Sequence, residues 1–382
     1  MRSIVLLAVL AVPCAAQTTS SGAFVVTLGR DTLAVERFER SADTLRGELV
    51  AFSPTTRIIR YTLQLTRAGT VVSGEYQVVP GEQKPGTAPL MVAQFMRRDT
   101  VLTSILKRPQ RTDTLTVVVP PGTVPMMSPS VAAYEQMVIQ AYRQGGDSVA
   151  VATYAIGSRA SVPNHVVRRT ADSVGVEYFG ADHYIAADAE GRLLGLNGAR
   201  TTNKMMVARV DSPVDIGALA AAGVARERAG AATGALSTRD TVQASVAGAE
   251  VVVDYGRPSV RGRQILGEVV PFGEVWRTGA NQATHFTTSR DLQVGATTIP
   301  AGTYTLWTVP SPGGAELIVN AQTGQWGTIY DPSRDLVRIP LEVREAREPV
   351  ERFTITVDPQ QGGGVLRLSW HTFEWRLPFT MR

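Results

Sequence analysis

Cysteine is almost absent: Cys14 is the single one in 382 residues, and it falls in a segment that reads as removable. With no second thiol, disulfides, thiolate metal sites and a cysteine nucleophile are excluded together. Lysine is nearly as scarce, with only Lys84, Lys107 and Lys204, so almost every basic residue is arginine. The formal net charge of +4 is small and forms no basic stripe of the kind nucleic acid demands. Beyond the first dozen residues no apolar run approaches the roughly 20 residues of a membrane helix, so no membrane span is expected. His-Glu-x-x-His, Gly-x-Ser-x-Gly, Walker and dinucleotide signatures are all missing. No resident cofactor is therefore expected, and the common catalytic classes lose their signatures.

What is present begins with a leader. Arg2, the apolar run Ile4 to Val12 and the small residues Cys14, Ala15 and Ala16 make a secretory signal peptide over 1–16 with cleavage near Ala16. Pro13 stands where a lipidated Cys14 would need a small residue, which argues against a lipid anchor. The expectation is an exported protein, periplasmic or extracellular, long enough for two cores.

Residues 17–211 read as β throughout. Runs such as Thr32 to Phe38, Arg57 to Leu65 and Val174 to Phe179 alternate with the period of two that marks half-buried strands. The expected product is a curled antiparallel sheet or β-barrel-like domain. One helix interrupts it after Ser128-Pro129, with Val131, Tyr134, Met137, Val138, Ala141 and Tyr142 on one face and Gly145-Gly146 as its stop. Residues 212–238 make a short helical linker: Ser212 as N-cap, Pro213 in the first turn, Asp215 completing a capping box, then a flexible Gly/Ala/Thr stretch from Gly230 to Leu236.

Residues 239–382 are expected to form a β-sandwich from short strands near 249–255, 303–309, 316–320, 352–357 and 365–370. All five Trp lie here, at 276, 307, 326, 370 and 375. The stretch Tyr255 to His285 concentrates Arg257, Arg261, Arg263, Trp276, Arg277 and Asn281 among glycines. Tyr255-Gly-Arg-Pro-Ser-Val-Arg-Gly-Arg263, Val270-Pro-Phe-Gly-Glu-Val-Trp-Arg-Thr-Gly-Ala-Asn281, Pro300-Ala-Gly-Thr-Tyr-Thr-Leu-Trp307 and Gln325-Trp326-Gly327 resemble the bacterial secreted family called domain of unknown function 2911. That resemblance covers about the last 140 residues and implies export, but no activity.

Two readings attach to the segment. Arg257, Arg261, Arg263 and Arg277 with Asn281 can converge on a carboxylate or phosphate, because the guanidinium fork matches such groups bidentately, with Trp276 in the same segment. Of the five Trp, most are expected as core anchors, while a few stand at the surface and stack on sugars or other flat ligands. Alternatively the arginines brace loops through carbonyls and carboxylates. His285 and His371 are the candidates for an acid and base pair. A metal site from His165 and His183 with Asp182 or Glu177 has no favourable spacing, so none is expected. The favoured function is a non-catalytic binding or cell-envelope-associated module whose partner is a small anion, glycan or envelope component. Two alternatives stand beside it: an extracytoplasmic hydrolase-like enzyme acting on an anionic substrate through His285, and a lipophilic-ligand carrier using the N-terminal domain.

Overall fold

Strands dominate the computed structural model, which describes residues 20–178, 181–201 and 204–382 and, at 177, 178, 181 and 182, their backbone alone. The expected signal peptide over 1–16, with its cleavage near Ala16, lies outside the described residues. The protein is all-β with two α-helices, α1 (Val131–Gln144) and α2 (Ile216–Arg228), among those residues. Residues 20–210 supply a 14-stranded antiparallel sheet, and residues 237–381 a nine-stranded one.

The first sheet is curled but open. Its edge strands are Ser148–Ala150 and Arg111–Val118, which do not pair with each other. Curling nevertheless brings both ends onto one core: Leu102 and Leu106 from one end share it with Val149, Val166 and Val174 from the other. The barrel-like form therefore stops short of closure, and α1 fills the interior.

Sequence explains how a helix survives inside a sheet. The strand Asp31–Arg40 alternates so that Glu36, Phe38 and Arg40 all face inward and are buried. The Glu36 carboxylate accepts from the Val131 and Ala132 amides at 2.6 and 3.0 Å and from the Tyr61 and Ser130 hydroxyls at 2.6 and 2.7 Å. It thereby satisfies the first N–H groups of α1, at the positive end of the helix dipole. One turn on, buried Glu135 pairs with Arg40 and Arg209 and accepts from the Leu193 amide at 2.8 Å. Ser130 is the N-cap, which the sequence did not mark, and Gly145 closes the other end with a φ of 75° at the Gly145-Gly146 stop that the sequence expects.

The linker helix differs from expectation at its start. Asp215, not Ser212, is the N-cap, its carboxylate accepting from the Ala218 amide at 2.9 Å. An aspartate lying three residues before a free amide captures it directly, so Pro213 and Val214 stay outside the helix. Ile216 and Ala220 then pack on Val35, Val50, Phe52, Ile58 and Val79, covering the outer face of the sheet.

The second sheet is a sandwich made by folding one sheet over itself. The long strands Asp335–Gln360 and Gly363–Met381, read in the sequence only as short pieces, run past the layer they start in. Their far halves face the first strands of the domain: Tyr255 Oη accepts from the Ile355 amide at 3.0 Å, and Phe353 packs edge-on against the Tyr255 ring. Trp370 and Trp375 are buried between the layers.

Burial pushes the Glu36 carboxyl above the ordinary glutamate range against the pull of its hydrogen bonds. A carboxyl whose folded value is raised adds stability at low pH that is lost as pH rises through that value. Glu36→Ala should cost about 3 kcal/mol in urea unfolding by stranding helix amides and hydroxyls. Glu36→Gln should cost less, because the hydroxyls can turn to accept from its amide. Its deficit against wild type should shrink between pH 4 and pH 8. A wild-type-like Ala variant would show that the anchor is dispensable.

Candidate functional site

The two sheets meet at a turn. Gly29 and Arg30 close the hairpin between strands Ser20–Leu28 and Asp31–Arg40 and press on the loop at 260–263. The Arg30 amide donates to the Arg261 carbonyl at 3.0 Å. A Cβ at Gly29, whose φ is +58°, would sit 2.2 Å from that carbonyl oxygen, so the contact requires glycine. Arg261 itself holds a left-handed φ of 51° with a side chain only 7% exposed. Its guanidinium pairs with Asp31 and donates to the Thr233 carbonyl at 3.1 Å, while its amide donates to Glu351 at 2.9 Å.

Beside this junction lies a cleft of about 540 Å³ with walls from both sheets. The N-terminal domain contributes Leu28 and the loop residues Arg200, Thr201, Lys204 and Met205; the C-terminal domain contributes Arg263, Glu274, Trp276, Arg277, Asn281 and Trp326. Trp307 and Trp370 line it as well. Four cations therefore face one carboxylate.

The sequence candidates divide cleanly across this geometry. Arg263, Trp276, Arg277 and Asn281 line the cleft, whereas Arg257 and Arg261 do not. Arg257 is used up inside the sandwich: it pairs with Asp240 at 2.9 Å and donates to the Phe353 carbonyl at 3.1 Å and the Thr354 hydroxyl at 2.9 Å. Arg263 turns back on its own loop, donating to the Val260 and Ser259 carbonyls at 3.0 and 2.6 Å. Those carbonyls carry no full charge, so the cation stays uncompensated. Arg257, Arg261 and Arg263 thus brace the structure, and Arg263 and Arg277 line the cleft.

Arg277 stands apart. Among the described residues its guanidinium has no hydrogen-bond or ion-pair partner, and burial pushes its pKa below the ordinary arginine value. An unpaired, half-buried cation is held there by its neighbours. Gly327 lies so close that a Cβ on it would be 2.5 Å from both Arg277 Cδ and the Asn281 carbonyl. The Gly327 amide donates to that carbonyl at 2.9 Å. Between them the backbone is strained, with left-handed φ of 50° at Thr278 and 64° at Asn281. Thr284 Oγ1 fixes the bend by donating to the Thr278 carbonyl at 2.8 Å.

Trp276 stacks at 5.7 Å on Trp370 and meets Phe353 edge-on at 5.1 Å, so it belongs to the core and the cleft wall together. Trp326 is 48% exposed at the rim. The indole Nε1 atoms of Trp307 and Trp370 are buried with no acceptor. The sequence did not single out Lys204 or Arg200, and it weighed all five Trp together without separating Trp307, Trp326 and Trp370, which line the cleft, from Trp375. Nothing local marks Lys204 except the rarity of lysine; only folding brings its loop to the Arg277 side.

The histidine pair does not assemble at the cleft, since neither His285 nor His371 lines it. His285 Nε2 accepts from the Gly324 amide at 2.8 Å, which places the proton of the neutral ring on Nδ1. His371 lies on Gly363–Met381 opposite Val350, with a left-handed φ of 51°. Tyr134 contacts His183 Nδ1 at 2.9 Å. The side chains of 177 and 182 lie outside the described residues, and no group of three His, Cys, Asp or Glu is placed to hold a metal among the described ones.

Burial and nearby Arg239 push the His285 pKa below its ordinary value. Stability linked to its neutral form is present above about pH 6.5 and should fall as pH drops through the lowered value. His285→Gln should flatten that part of the melting-temperature profile between pH 7 and pH 5; an unchanged slope would assign the acid sensitivity elsewhere.

Comparison with known proteins adds the following. No curated protein matches this sequence. Among solved structures the chain is similar to a DUF1089 family protein from Pseudomonas aeruginosa, at 12% identity and a TM-score of 0.30, covering 43% of this chain and 89% of that one. It is also similar to a β-barrel-like protein of domain of unknown function DUF1849 from Brucella abortus, at 12% identity and a TM-score of 0.32, covering 50% and 94%. Both likenesses are too slight to assign a role. A family model described as a protein of unknown function, DUF2911, matches residues 237–379, the stretch that contains every C-terminal residue of the cleft. The C-terminal domain of this chain accordingly belongs to the DUF2911 family.

Proposed function

We propose that the protein is an exported, non-catalytic binding module that holds an anionic ligand in the cleft between its two sheets. Export rests on the leader read from residues 1–16. Binding rests above all on Arg277, a guanidinium kept half-buried and unpaired against a glycine-permitted contact. Folding offers no such group a reason to persist unless a partner of opposite charge completes it. Lys204 supports the same reading: burial, with help from Arg263 and Arg277, pushes its pKa below the ordinary lysine value. Mutual repulsion among cations is relieved by a bound anion.

Neither His285 nor His371 lines this cleft, so the histidine acid and base pair that the hydrolase alternative relied on is not placed there among the described residues. A lipophilic carrier would need apolar space within the curled sheet, and α1 with its buried neighbours occupies that interior. An anion-recognition role in the cell envelope is what remains supported.

Citrate and inorganic phosphate are suitable first probes. At a hundred times its dissociation constant, a ligand adds about 2.7 kcal/mol of stability, which a thermal-shift experiment reads easily. Either anion should raise the melting temperature of the wild type and leave Arg277→Ala unmoved, with Arg277→Lys in between because a point charge cannot replace the fork. Affinity should also decline as pH rises through the lowered Lys204 pKa, where that cation is lost. Equal shifts in wild type and Arg277→Ala, or none in either, would contradict the reading.

A further inference from the structure

We infer that the ligand is an acidic glycan, a saccharide carrying uronic acid groups, seated with a sugar face on Trp326 and a carboxylate on Arg277. The inference rests on the anion-binding reading above and narrows it to a chemical class.

Size comes first. A cleft of about 540 Å³ falls within the roughly 300–1,000 Å³ of small-molecule sites. A lone inorganic anion would leave most of it as water. Charge comes next: among the described lining residues Arg200, Lys204, Arg263 and Arg277 oppose Glu274 alone, and none of the four cations has an ion-pair partner. One negative charge does not balance that field, whereas a saccharide with a carboxylate on each ring distributes several along it. Arg277 and Arg263 belong to one wall and Lys204 and Arg200 to the other, so the charges of the ligand must be spread out.

The apolar part of the wall then decides between a compact polyanion and a ringed one. Trp326 is 48% exposed although every other Trp outside the rim is packed. An indole held open to water beside a cation suits a ligand with a flat, weakly polar face and an anionic substituent next to it. A pyranose presents its axial C–H groups in that way. Trp326 is not a loose side chain: its backbone bridges Gln282, and its neighbour Gly327 bonds to Asn281. The Trp326–Gly327 loop is therefore tied by backbone bonds to the Asn281 loop that carries Arg277, which fixes the separation of platform and fork.

Hydrogen-bonding capacity completes the match. The Asn281 amide has no side-chain partner among the described residues, and the Trp307 and Trp370 Nε1 donors lack acceptors. Those two donors are closed to solvent, so the polar side chain that a ligand hydroxyl meets here is Asn281. Sugar hydroxyls act as donor and acceptor at once, which suits the side-chain amide of Asn281, itself both donor and acceptor. A nucleotide or an aromatic acid would use the ring platform but supply few hydroxyls, and citrate would use the cations but not the platform.

The full chain would be titrated calorimetrically with digalacturonic acid, with the neutral digalactose of the same linkage, and with citrate. Digalacturonic acid should bind at least tenfold more tightly than either, with a change in tryptophan fluorescence. Trp326→Ala, at an exposed position where folding is safe, should weaken digalacturonic acid at least tenfold while leaving citrate within about twofold. Arg277→Ala should abolish both. Citrate binding as tightly as digalacturonic acid, with Trp326→Ala indifferent, would overturn the glycan assignment and leave the anion site standing. Neutral digalactose binding as tightly as the acid would overturn it too. Failure of every anion would remove both readings.

Discussion

Arg261 is the residue through which the two halves of this protein hold one another. Its guanidinium pairs with Asp31 at the tip of an N-terminal hairpin and bonds to the linker carbonyl of Thr233, while its backbone is fixed by Glu351 and Arg30. Taking a charge to 7% exposure is unfavourable unless geometry and hydrogen bonds compensate it fully. Removing one partner of such a pair leaves the other charge stranded, at about 3 to 5 kcal/mol. The linker, flexible by composition, is thereby tied down where the hairpin tip meets the loop at 260–263.

That junction determines what the neighbouring cleft is. With the hairpin tip held against the loop at 260–263, the loop ending in Lys204 comes to face Arg277 and Trp276. Charges that belong to separate sheets then act on a common volume, and their fields add in a partly dehydrated space. The arginines of the segment from Tyr255 to His285 divide the labour. Arg257 and Arg261 are spent on structure, and Arg277 is left free. Left-handed residues at Thr278 and Asn281 store the strain that keeps it so, an arrangement expected where a backbone is shaped for a ligand more than for stability.

Much of the architecture was legible beforehand because it depends on local rules. Alternation in Arg57–Leu65 and the Gly145-Gly146 stop of α1 are written in neighbouring residues, and the structure follows them. The start of α2 was misread because two acceptors, Ser212 and Asp215, compete for the cap, and only the observed Asp215 to Ala218 bond decides between them. The long strand Asp335–Gln360 reads as short pieces because its exposed middle, rich in Glu and Arg, loses the apolar alternation, whereas Gly363–Met381 keeps its buried alternation and is interrupted only by the left-handed His371. At the site, Arg263, Trp276, Arg277 and Asn281 could be singled out by type and density, but the sorting of braced from free arginines depends on partners 17 to 230 residues away. Lys204, from the other sheet, carried no local signal at all.

The central claim is that the cleft between the sheets attracts and holds negative charge at Arg277. Anomalous diffraction from crystals soaked in bromide tests it most directly, since a halide reports potential without demanding any particular ligand shape. The account predicts a strong bromide peak within contact distance of the Arg277 guanidinium, on the side facing Lys204, that disappears in Arg277→Ala crystals. Bromide scattered over exposed arginines, with none in the cleft, would contradict it.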